Sequence, residues 1–438
     1  MSMPCLLAVA LHLLGGVDAA SARTSSPPDA ARPLRIATFN CAMNRDKPGQ
    51  LAEELRTPES AQAKAVAEII QRVAPDVILL NEFDYDERGA AIDAFLGNYL
   101  ARPQNGAASI EYPFVLGPPS NTGVPSGRDL DHDGRVGGPG DAIGFGAFEG
   151  QYAFVVLSRV PIDFDHVRTF RNFLWKQMPG ALLPGSPPPD GAASDNPRRD
   201  SKPSELPPTP DRGDWYSSDD LAVLRLSSKN HCDVPLRIGD SVVHLLVSHP
   251  TPPVFDGPED RNGRRNHDEI RLWADYIDPA RCGYVVDDAN VRGGLAVGEP
   301  FVILGDLNAD PLDGDSTAGA ARQLLEHPLI DASRPPTSRG GLAAALAQGG
   351  ANLPHNGNPA RDTGDFADSG DHAPGNLRID YVLPSKSLVP RGGGIFWPEP
   401  ADELFRLVGD GRRIVSSDHR LVWVDVELAP RDPEKPAP

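Results

Sequence analysis

The chain has 438 residues and a formal net charge of -19, with 61 acidic side chains against 42 lysines and arginines. This charge argues against tight, sequence-independent binding of nucleic acid, which depends on Lys and Arg contacts with phosphates. It does not exclude a nuclease, because a bound metal and a local basic patch can serve. The 46 prolines and 43 glycines concentrate between the predicted strands, which indicates many loops around one core.

The first predicted element is a secretory signal peptide. Residues 6–17 are mostly apolar but too few to span a bilayer, and Ala-Ser-Ala at residues 20–22 fits the small-x-small cleavage pattern. We therefore expect residues 1–22 to be removed, residues 23–33 to be a linker, and the mature protein to be secreted or periplasmic. The lack of Lys and Arg before the apolar run leaves a membrane anchor or a mis-assigned start codon as alternatives.

Apolar segments that predict β-strands recur along the chain, and each is associated with an Asn, Asp, Glu or His. If these polar residues had no shared function, they would be scattered along the strands instead. The predicted strands and their polar residues are 34–40 with Asn40, 76–82 with Glu82, 242–249 with His249, 301–304 followed by Asp306 and Asn308, 378–383 with Asp380, and 421–426 preceded by Asp418 and His419.

Between these strands the sequence predicts a few helices and further strands. Residues 59–73 carry apolar side chains at helical spacing and end before a proline, and residues 269–277 have one apolar face. Residues 151–157 predict a strand, and residues 221–226 and 234–238 predict a strand pair. Strands with a few helices between them fit two sheets that pack face to face with helices outside.

A Gly-Asp-Leu-Asn sequence at residues 305–308 directly follows the predicted strand 301–304. Side chains alternate along a strand, so Asp306 and Asn308 should point the same way. A carboxylate that orients a water, beside an amide that donates to an oxyanion, suits phosphoester hydrolysis. Alone the motif is weak, because such loops also use Asp and Asn simply as turn residues.

The order of Asn40, Glu82, His249, the Gly-Asp-x-Asn motif, Asp380 and Ser-Asp-His along the chain resembles the endonuclease/exonuclease/phosphatase superfamily. The resemblance runs from about residue 34 to 426 and implies one domain at 34–427. It implies a deoxyribonuclease I-like α+β fold, a four-layer α/β sandwich of two packed, mostly antiparallel sheets flanked by helices. The implied activity is phosphoester hydrolysis that depends on Mg²⁺ or Mn²⁺.

The resemblance also implies roles for five residues in metal binding and water attack. Glu82 would be the main metal ligand, Asp418 would help to hold the metal, and Asn40 would lie in the same coordination shell. Asp306 would orient or deprotonate the attacking water. Asn308 would donate a hydrogen bond to a phosphoryl oxygen.

The two histidines correspond to the family's site histidines. Asp380 would hold His419 in one tautomer and favour its cation, which could stabilise the pentacovalent phosphate. His249 would contact phosphate or assist the leaving group. Taken singly, each histidine could equally be a hydrogen-bonded structural residue.

Three segments are predicted insertions, near residues 103–150, 179–213 and 335–375, and residues 428–438 are predicted to form a disordered tail. Within the first insertion, Asp129, Asp131 and Asp133 precede Gly134 as in the opening of a calcium-binding loop. The twelfth position, which would carry the closing Glu, is Gly140. A structural Ca²⁺ site and an acidic surface turn both remain open.

The remaining candidates are cysteines and arginines. With Cys5 removed, Cys232 and Cys282 are the more plausible disulfide pair, and Cys41 is expected to pack as a small hydrophobic residue. A local basic cluster includes Arg264 and Arg265, which could bind substrate or form a solvated helix start.

The sequence leaves the substrate open. The proline-rich residues 250–258 do not resemble the nucleic-acid-binding loops of the nucleases, and inositol phosphatase signatures are not evident. A nucleic acid, a phospholipid head group and a small phosphoester all remain candidates, with a monomer as the default state. The alternative is a secreted binding protein that keeps the fold without catalysis, although such a module would not need the whole set of acids and histidines.

Overall fold

The computed structural model describes residues 32–185 and 215–428, in which eleven β-strands form two sheets. The strands are β1 (Leu34–Met43), β2 (Val77–Phe83), β3 (Phe114–Leu116), β4 (Phe154–Ser158), β5 (Arg168–Thr169), β6 (His231–Ile238), β7 (Ser241–Ser248), β8 (Phe301–Asp306), β9 (Asp380–Pro384), β10 (Leu388–Ile395) and β11 (Val422–Leu428). The first sheet has the order β10-β11-β1-β2-β4-β3 and the second β5-β6-β7-β8-β9. The pairs β1–β2 and β7–β8 are parallel, and the other neighbours are antiparallel.

Helices cover the outer faces of the sheets. The α-helices are α1 (Gln50–Leu55), α2 (Ala61–Val73), α3 (Ala90–Phe95), α4 (Arg261–Tyr276), α5 (Arg322–Leu325) and α6 (Arg339–Gln348). A π-helical turn occupies Leu96–Leu100, and short 3-10 helices lie at Phe164–His166, Trp175–Gln177, Cys282–Tyr284, Gly350–Asn352, Pro359–Arg361 and Glu403–Leu407. In the described residues no helix is long and apolar enough to cross a membrane.

The alternation of side chains along the strands produces the layers. On β1, Ile36 points into the core between the sheets, whereas Phe39 packs with α2 on the outer side. On β8, Val302 faces the other sheet, and Ile303 packs against Trp273 of α4. The four-layer sandwich predicted from the sequence is therefore confirmed.

Two helices show why boundaries differ from those predicted. Helix α2 begins at Ala61 because the Ser60 side chain accepts a hydrogen bond from the backbone N–H of Ala63. Helix α4 begins at Arg261, eight residues before the predicted start. The sequence did not indicate this first half, because the side chains that it buries, including Asn266 and Asp268, are polar rather than apolar.

The predicted strand at 221–226 is wrong. This segment is a turn with one isolated bridge, between Arg225 and Leu174, and β6 pairs directly with β7 instead. Strand β10 was not predicted, because its run of three glycines at 392–394 has no apolar pattern. The insertion near 103–150 contains β3, and the one near 335–375 contains α6.

The predicted disulfide is also wrong, because Cys232 and Cys282 are both free thiols. Cys232 is buried in the layer between the sheets, whereas Cys282 follows α4 on the outer side of the second sheet. Cys41 is a buried thiol packed among apolar side chains, as predicted. The predicted signal peptide, residues 23–31 of the linker, residues 186–213 of the second insertion and residues 429–438 of the tail lie outside the described residues.

Candidate active site

The predicted site residues gather at one edge of the sandwich. The parallel strands β1 and β2 end there in the first sheet, and β7 and β8 end there in the second. Strand β9 runs antiparallel to β8 and therefore begins at the same edge, where Asp380 is the register partner of Asp306. Strand topology thus brings together side chains that are more than 300 residues apart in the chain.

Asn40 joins the two sheets at this edge. Its buried Nδ2 donates to Glu82 Oε1 at 3.1 Å and to Asp306 Oδ2 at 3.0 Å, and lies 3.5 Å from His419 Nε2. Its Oδ1 accepts from the backbone N–H of Ala42 at 3.1 Å. In this arrangement Asn40 orients two carboxylates, and its amide would have to rotate before its oxygen could bind a metal.

Glu82 is partly exposed to solvent, whereas Asp306 and Asp380 are buried. Its Oε2 accepts from Asn44 Nδ2 at 2.7 Å. The backbone of Glu82 has a φ of 56°, in the left-handed region that disfavours side chains other than glycine. Such strain persists only where the surrounding structure holds it, and it clusters at functional sites.

Asp306 lies between two histidines. His249 Nε2 is 3.4 Å from Asp306 Oδ2, and His419 Nδ1 is 3.8 Å from the same oxygen. Burial favours a higher pKa for Asp306, but the charge of His419 and the hydrogen bonds from His249 and Asn40 outweigh it and lower that pKa below its usual range. Asp306 is therefore held as a carboxylate.

His249 is held near its neutral form. Burial lowers the pKa of its imidazole, and the positive charge of Lys229 lowers that pKa further, although Asp306 opposes both. Its Nδ1 is buried and has no hydrogen-bond partner within the described part of the chain. A neutral imidazole beside a carboxylate can exchange a proton with a bound reactant.

His419 and Asp380 form a buried pair, with His419 Nδ1 at 2.9 Å from Asp380 Oδ2. Burial raises the pKa of Asp380 to about 6, and the charge of His419 partly offsets this increase. Burial also opposes the imidazolium of His419, but the carboxylates of Asp380 and Asp306 outweigh it and raise its pKa well above the ordinary value. The pair thus keeps His419 cationic at neutral pH.

The two other predicted residues lie at the margin of the site. The Asn308 side chain donates to the carbonyl of Pro250 at 3.1 Å, and its backbone N–H donates to Asp306 Oδ1 at 2.9 Å. Asp418 precedes His419, and its Oδ1 lies 3.4 Å from the hydroxyl of Ser417. Among the described residues, the ligand atoms that lie within 4.8 Å of one another at this edge belong to Asp306, Asp380 and His419 and do not include Asp418, so its metal-binding role stays a prediction.

The donor chemistry of this edge fits a divalent cation. Carboxylate oxygens of Asp306 and Asp380 lie within 4.8 Å of each other and of a ring nitrogen of His419, and the Oδ1 of Asp380 is buried without a partner among the described residues. Because His419 is held as a cation, its ring offers no lone pair to a metal, and the carboxylates are the candidate ligands. The accessible carboxylate of Glu82 is joined to this cluster through Asn40. Carboxylate oxygens are the ligands that Mg²⁺ prefers.

Three supporting residues were not found from the sequence. Glu269 of α4 accepts from the backbone N–H groups of Ser228 at 2.7 Å and Thr251 at 2.6 Å. Asn266 of α4 donates to the carbonyls of Thr251 and Leu307, both at 2.8 Å. Helix α4 therefore fixes the loops that follow β7 and β8.

The third is Asn44, which binds Glu82. The four-residue spacing between Asn40 and Asn44 was the one signal for it in the sequence. A search for further amides near the end of the first strand would have found this residue.

Arg265, which was predicted together with Arg264 to bind substrate, is occupied by contacts with loops. Its side chain is buried and donates to the carbonyls of Leu226 at 2.9 Å, Arg225 at 2.8 Å and Ile143 at 2.7 Å, so the guanidinium is used to hold loops together. Arg264 Nη1 lies 3.4 Å from the carbonyl of Leu183. Its binding of substrate stays a prediction.

The acidic loop at Asp129, Asp131 and Asp133 brings three carboxylates within 4.8 Å of one another. The twelfth position of the loop is Gly140, and Asp141 follows it. The carboxylate of Asp141 is not free to act as the missing closing ligand. Its Oδ1 accepts from the backbone N–H of Leu130 at 2.6 Å, and its Oδ2 accepts from that of Gly137 at 2.7 Å. Asp141 thus shapes the loop through hydrogen bonds.

Calcium binding by this loop is a testable prediction. A ligand that binds only the folded state stabilises it by about 2.7 kcal/mol at a hundredfold excess over its Kd. Millimolar Ca²⁺ should therefore raise the Tm, and Asp131→Ala should abolish the rise without affecting the strand-end site. An unchanged Tm in the wild-type protein would leave the loop as an acidic turn.

One family model matches most of this chain. Residues 37–419 match the model of the Endonuclease/Exonuclease/phosphatase family. A search of curated proteins finds no match. Among solved structures, an endonuclease/exonuclease/phosphatase from Beutenbergia cavernae DSM 12333 is 18% identical, with 91% of this chain and 72% of that chain covered and a TM-score of 0.43.

Two further solved structures have similar scores. TDP2 from Caenorhabditis elegans is 15% identical, with 90% of this chain and 74% of that chain covered and a TM-score of 0.39. Sphingomyelinase C from Streptomyces griseocarneus is 15% identical, with 90% and 99% covered and a TM-score of 0.38. Because the family model spans nearly the whole of the two-sheet domain, the chain belongs to the endonuclease/exonuclease/phosphatase family.

Proposed function

We propose that this protein is a secreted, divalent-metal-dependent phosphoesterase that hydrolyses a phosphodiester or phosphomonoester by attack of water. The observation that carries the proposal is the convergence of Glu82, Asp306 and His419 on the single amide of Asn40. This arrangement joins an accessible carboxylate, a buried carboxylate and a cationic imidazole at one strand edge. Each group has a role in phosphoester hydrolysis.

The buried groups divide the chemistry between them. Asp306 remains a carboxylate and can orient a water or accept its proton, while His419 remains a cation and can stabilise charge that develops on phosphoryl oxygens. Neutral His249 lies against Asp306, so it can receive the proton that Asp306 takes from the water and then, as an imidazolium, give a proton to the leaving oxygen. A divalent cation held by Glu82, with Asp418 nearby, would supply Lewis acidity and neutralise phosphoryl charge.

A small or mildly charged phosphoester is the favoured substrate class. A cavity of about 280 Å³ lies beside the strand that carries Glu82, and its lining includes Tyr85, Phe148, Arg171 and the acids Asp86, Glu87 and Glu149. None of the reacting side chains lines this cavity, so the substrate class is argued from the net charge of -19, which disfavours a polynucleotide. Export is supported by the apolar residues 6–17 and the Ala-Ser-Ala pattern at residues 20–22.

The proposal predicts that hydrolysis requires a divalent metal. Mature protein should hydrolyse bis(p-nitrophenyl) phosphate or p-nitrophenyl phosphate in Mg²⁺ or Mn²⁺, lose the activity in excess chelator, and regain it when metal is restored. Comparing the two substrates assigns diester or monoester preference. Full activity in excess chelator would rule out the metal mechanism.

A substitution at the proposed metal ligand tests the same mechanism. Glu82→Gln should raise the Mg²⁺ concentration needed for the half-maximal rate.

A further inference from the structure

Lys229 is a buried lysine at the margin of the site. The residue is 7% exposed, and its Nζ donates to the carbonyl of Pro250 over a long distance of 3.4 Å. An ammonium group carries three donors. Across residues 32–185 and 215–428, no carboxylate lies within ion-pair distance of this ammonium, although most buried charges in proteins are paired.

The Lys229 ammonium contacts a carbonyl next to the proposed reaction centre. Pro250 directly follows His249, and its carbonyl also accepts from Asn308 Nδ2 at 3.1 Å. Lys229 and Asn308 therefore converge on the same oxygen atom. The charge of Lys229 also reaches the reacting groups, because it lowers the pKa of His249. Burial lowers the pKa of Lys229 itself, and the charges of Glu269, Glu82 and Asp306 oppose that shift.

The backbone around Lys229 is fixed rather than free to turn the side chain away. The N–H of Ser228 donates to Glu269 at 2.7 Å, and the carbonyl of Lys229 accepts from the N–H of Asn121 at 2.8 Å. On the other side, Asn230 Nδ2 donates to the carbonyl of Pro119 at 3.0 Å. The scaffold thus maintains an ammonium group with unused donors beside the site.

We propose that Lys229 is a catalytic residue that binds a non-bridging oxygen of the substrate's phosphoryl group, together with Asn308. This inference rests on the proposed phosphoesterase function and names the groups that recognise the anion. Burying an unpaired cation is costly, and a phosphoryl oxygen supplies both the missing charge and the missing acceptor. Because phosphoryl oxygens carry the charge during displacement, the same contact would act in the transition state.

The test is calorimetric binding of inorganic phosphate in saturating Mg²⁺, which requires no turnover. Lys229→Met keeps the aliphatic stem but removes the charge, and we expect phosphate to bind at least about tenfold more weakly, as for loss of a hydrogen bond to a charged group. Lys386→Met is the matched control. Lys386 is exposed in the turn between β9 and β10, at the end of β9 opposite Asp380, and its replacement should leave phosphate binding unchanged.

Lys229→Gln removes the positive charge but can keep the hydrogen bond, because a glutamine amide can still donate to the carbonyl of Pro250. It therefore distinguishes the effect of the charge from that of the hydrogen bond. It should fold with a Tm close to that of wild type, bind Mg²⁺ at least as tightly, and bind phosphate as weakly as Lys229→Met does. Wild-type phosphate affinity in either folded variant would overturn the proposal, as would failure of both variants to fold, since the free protein would then depend on the ammonium.

Phosphate affinity and hydrolysis are independent readouts. If wild-type protein binds phosphate through Lys229 but hydrolyses neither generic substrate, the anion site stands and the proposed function fails. If it hydrolyses substrate and Lys229→Gln binds phosphate normally, the function stands and the role of Lys229 fails.

Discussion

Asp306→Asn is expected to lower kcat by about 10²- to 10⁴-fold, the range typical of a positioned general base. The two side chains have nearly the same shape, so Asn can still lie against Asn40 and His249, but an amide cannot take a proton from water. Steady-state kinetics with the better generic substrate at saturating Mg²⁺ would measure the loss. A Tm within a few degrees of wild type would show that the fold is kept.

Asp425→Asn is the matched control for this substitution. Asp425 also binds a cationic side chain, Arg35, with an Oδ1–Nε distance of 2.7 Å, but it lies near the start of β1, at the end opposite Asn40. It should leave kcat unchanged. Asp306→Asn with more than half of the wild-type kcat would exclude Asp306 as the water-activating group.

His419→Ala is expected to lower kcat by at least about 10²-fold, because it removes the cation that faces the phosphoryl group. Asp380→Asn should lose a large part of the same factor, because its carboxylate holds His419 at 2.9 Å. The double variant should be no worse than the worse single variant, since groups that act as a unit have non-additive effects. Losses that multiply would show that the two residues act independently.

The pH dependence gives a second readout of this pair. The carboxylates of Asp380 and Asp306 raise the pKa of His419, so in the wild-type protein its cation persists well above pH 6.5. Removing the charge of Asp380 lowers that pKa, and the loss of activity with rising pH should therefore begin at a lower pH in Asp380→Asn. A pH profile of kcat that is unchanged in this variant would contradict the cationic role of His419.

The strand ends that carry the site could be predicted because two signals coincide there. The sequences of β1, β2, β7 and β8 are apolar runs that predict strands. At the end of each run lies a polar residue that matches the order of site residues in the family. These are the parts of the fold where local propensity and tertiary burial agree.

The predictions failed where tertiary contacts override the local pattern. Helix α4 places Asn266 and Glu269 inside the protein, where they bind loop backbone, so its first half has no apolar face that could be recognised. Strand β10 is held by pairing with β11 despite its three glycines. Residues 221–226 have strand-like composition, but only Arg225 forms a bridge in this segment of the described chain.

Within the site, the sequence specified residue types but not the directions of their groups. Asn40 was predicted to lie in the metal's coordination shell, yet its oxygen accepts from Ala42 and its nitrogen faces the two carboxylates. Lys229 lies in a polar segment without a motif, and its position becomes informative only when β6 and β7 pair and place it near Pro250. Such information lies in long-range geometry.

The most direct test of the central claim is hydrolysis of the better generic phosphoester in water enriched in ¹⁸O, with and without Mg²⁺. Attack of water on phosphorus predicts one ¹⁸O atom in the phosphate-containing product, formed in Mg²⁺ and absent in excess chelator. Label found in the released alcohol, or equal hydrolysis in chelator, would contradict a metal-dependent attack of water at the edge where Asn40 joins Glu82 to Asp306.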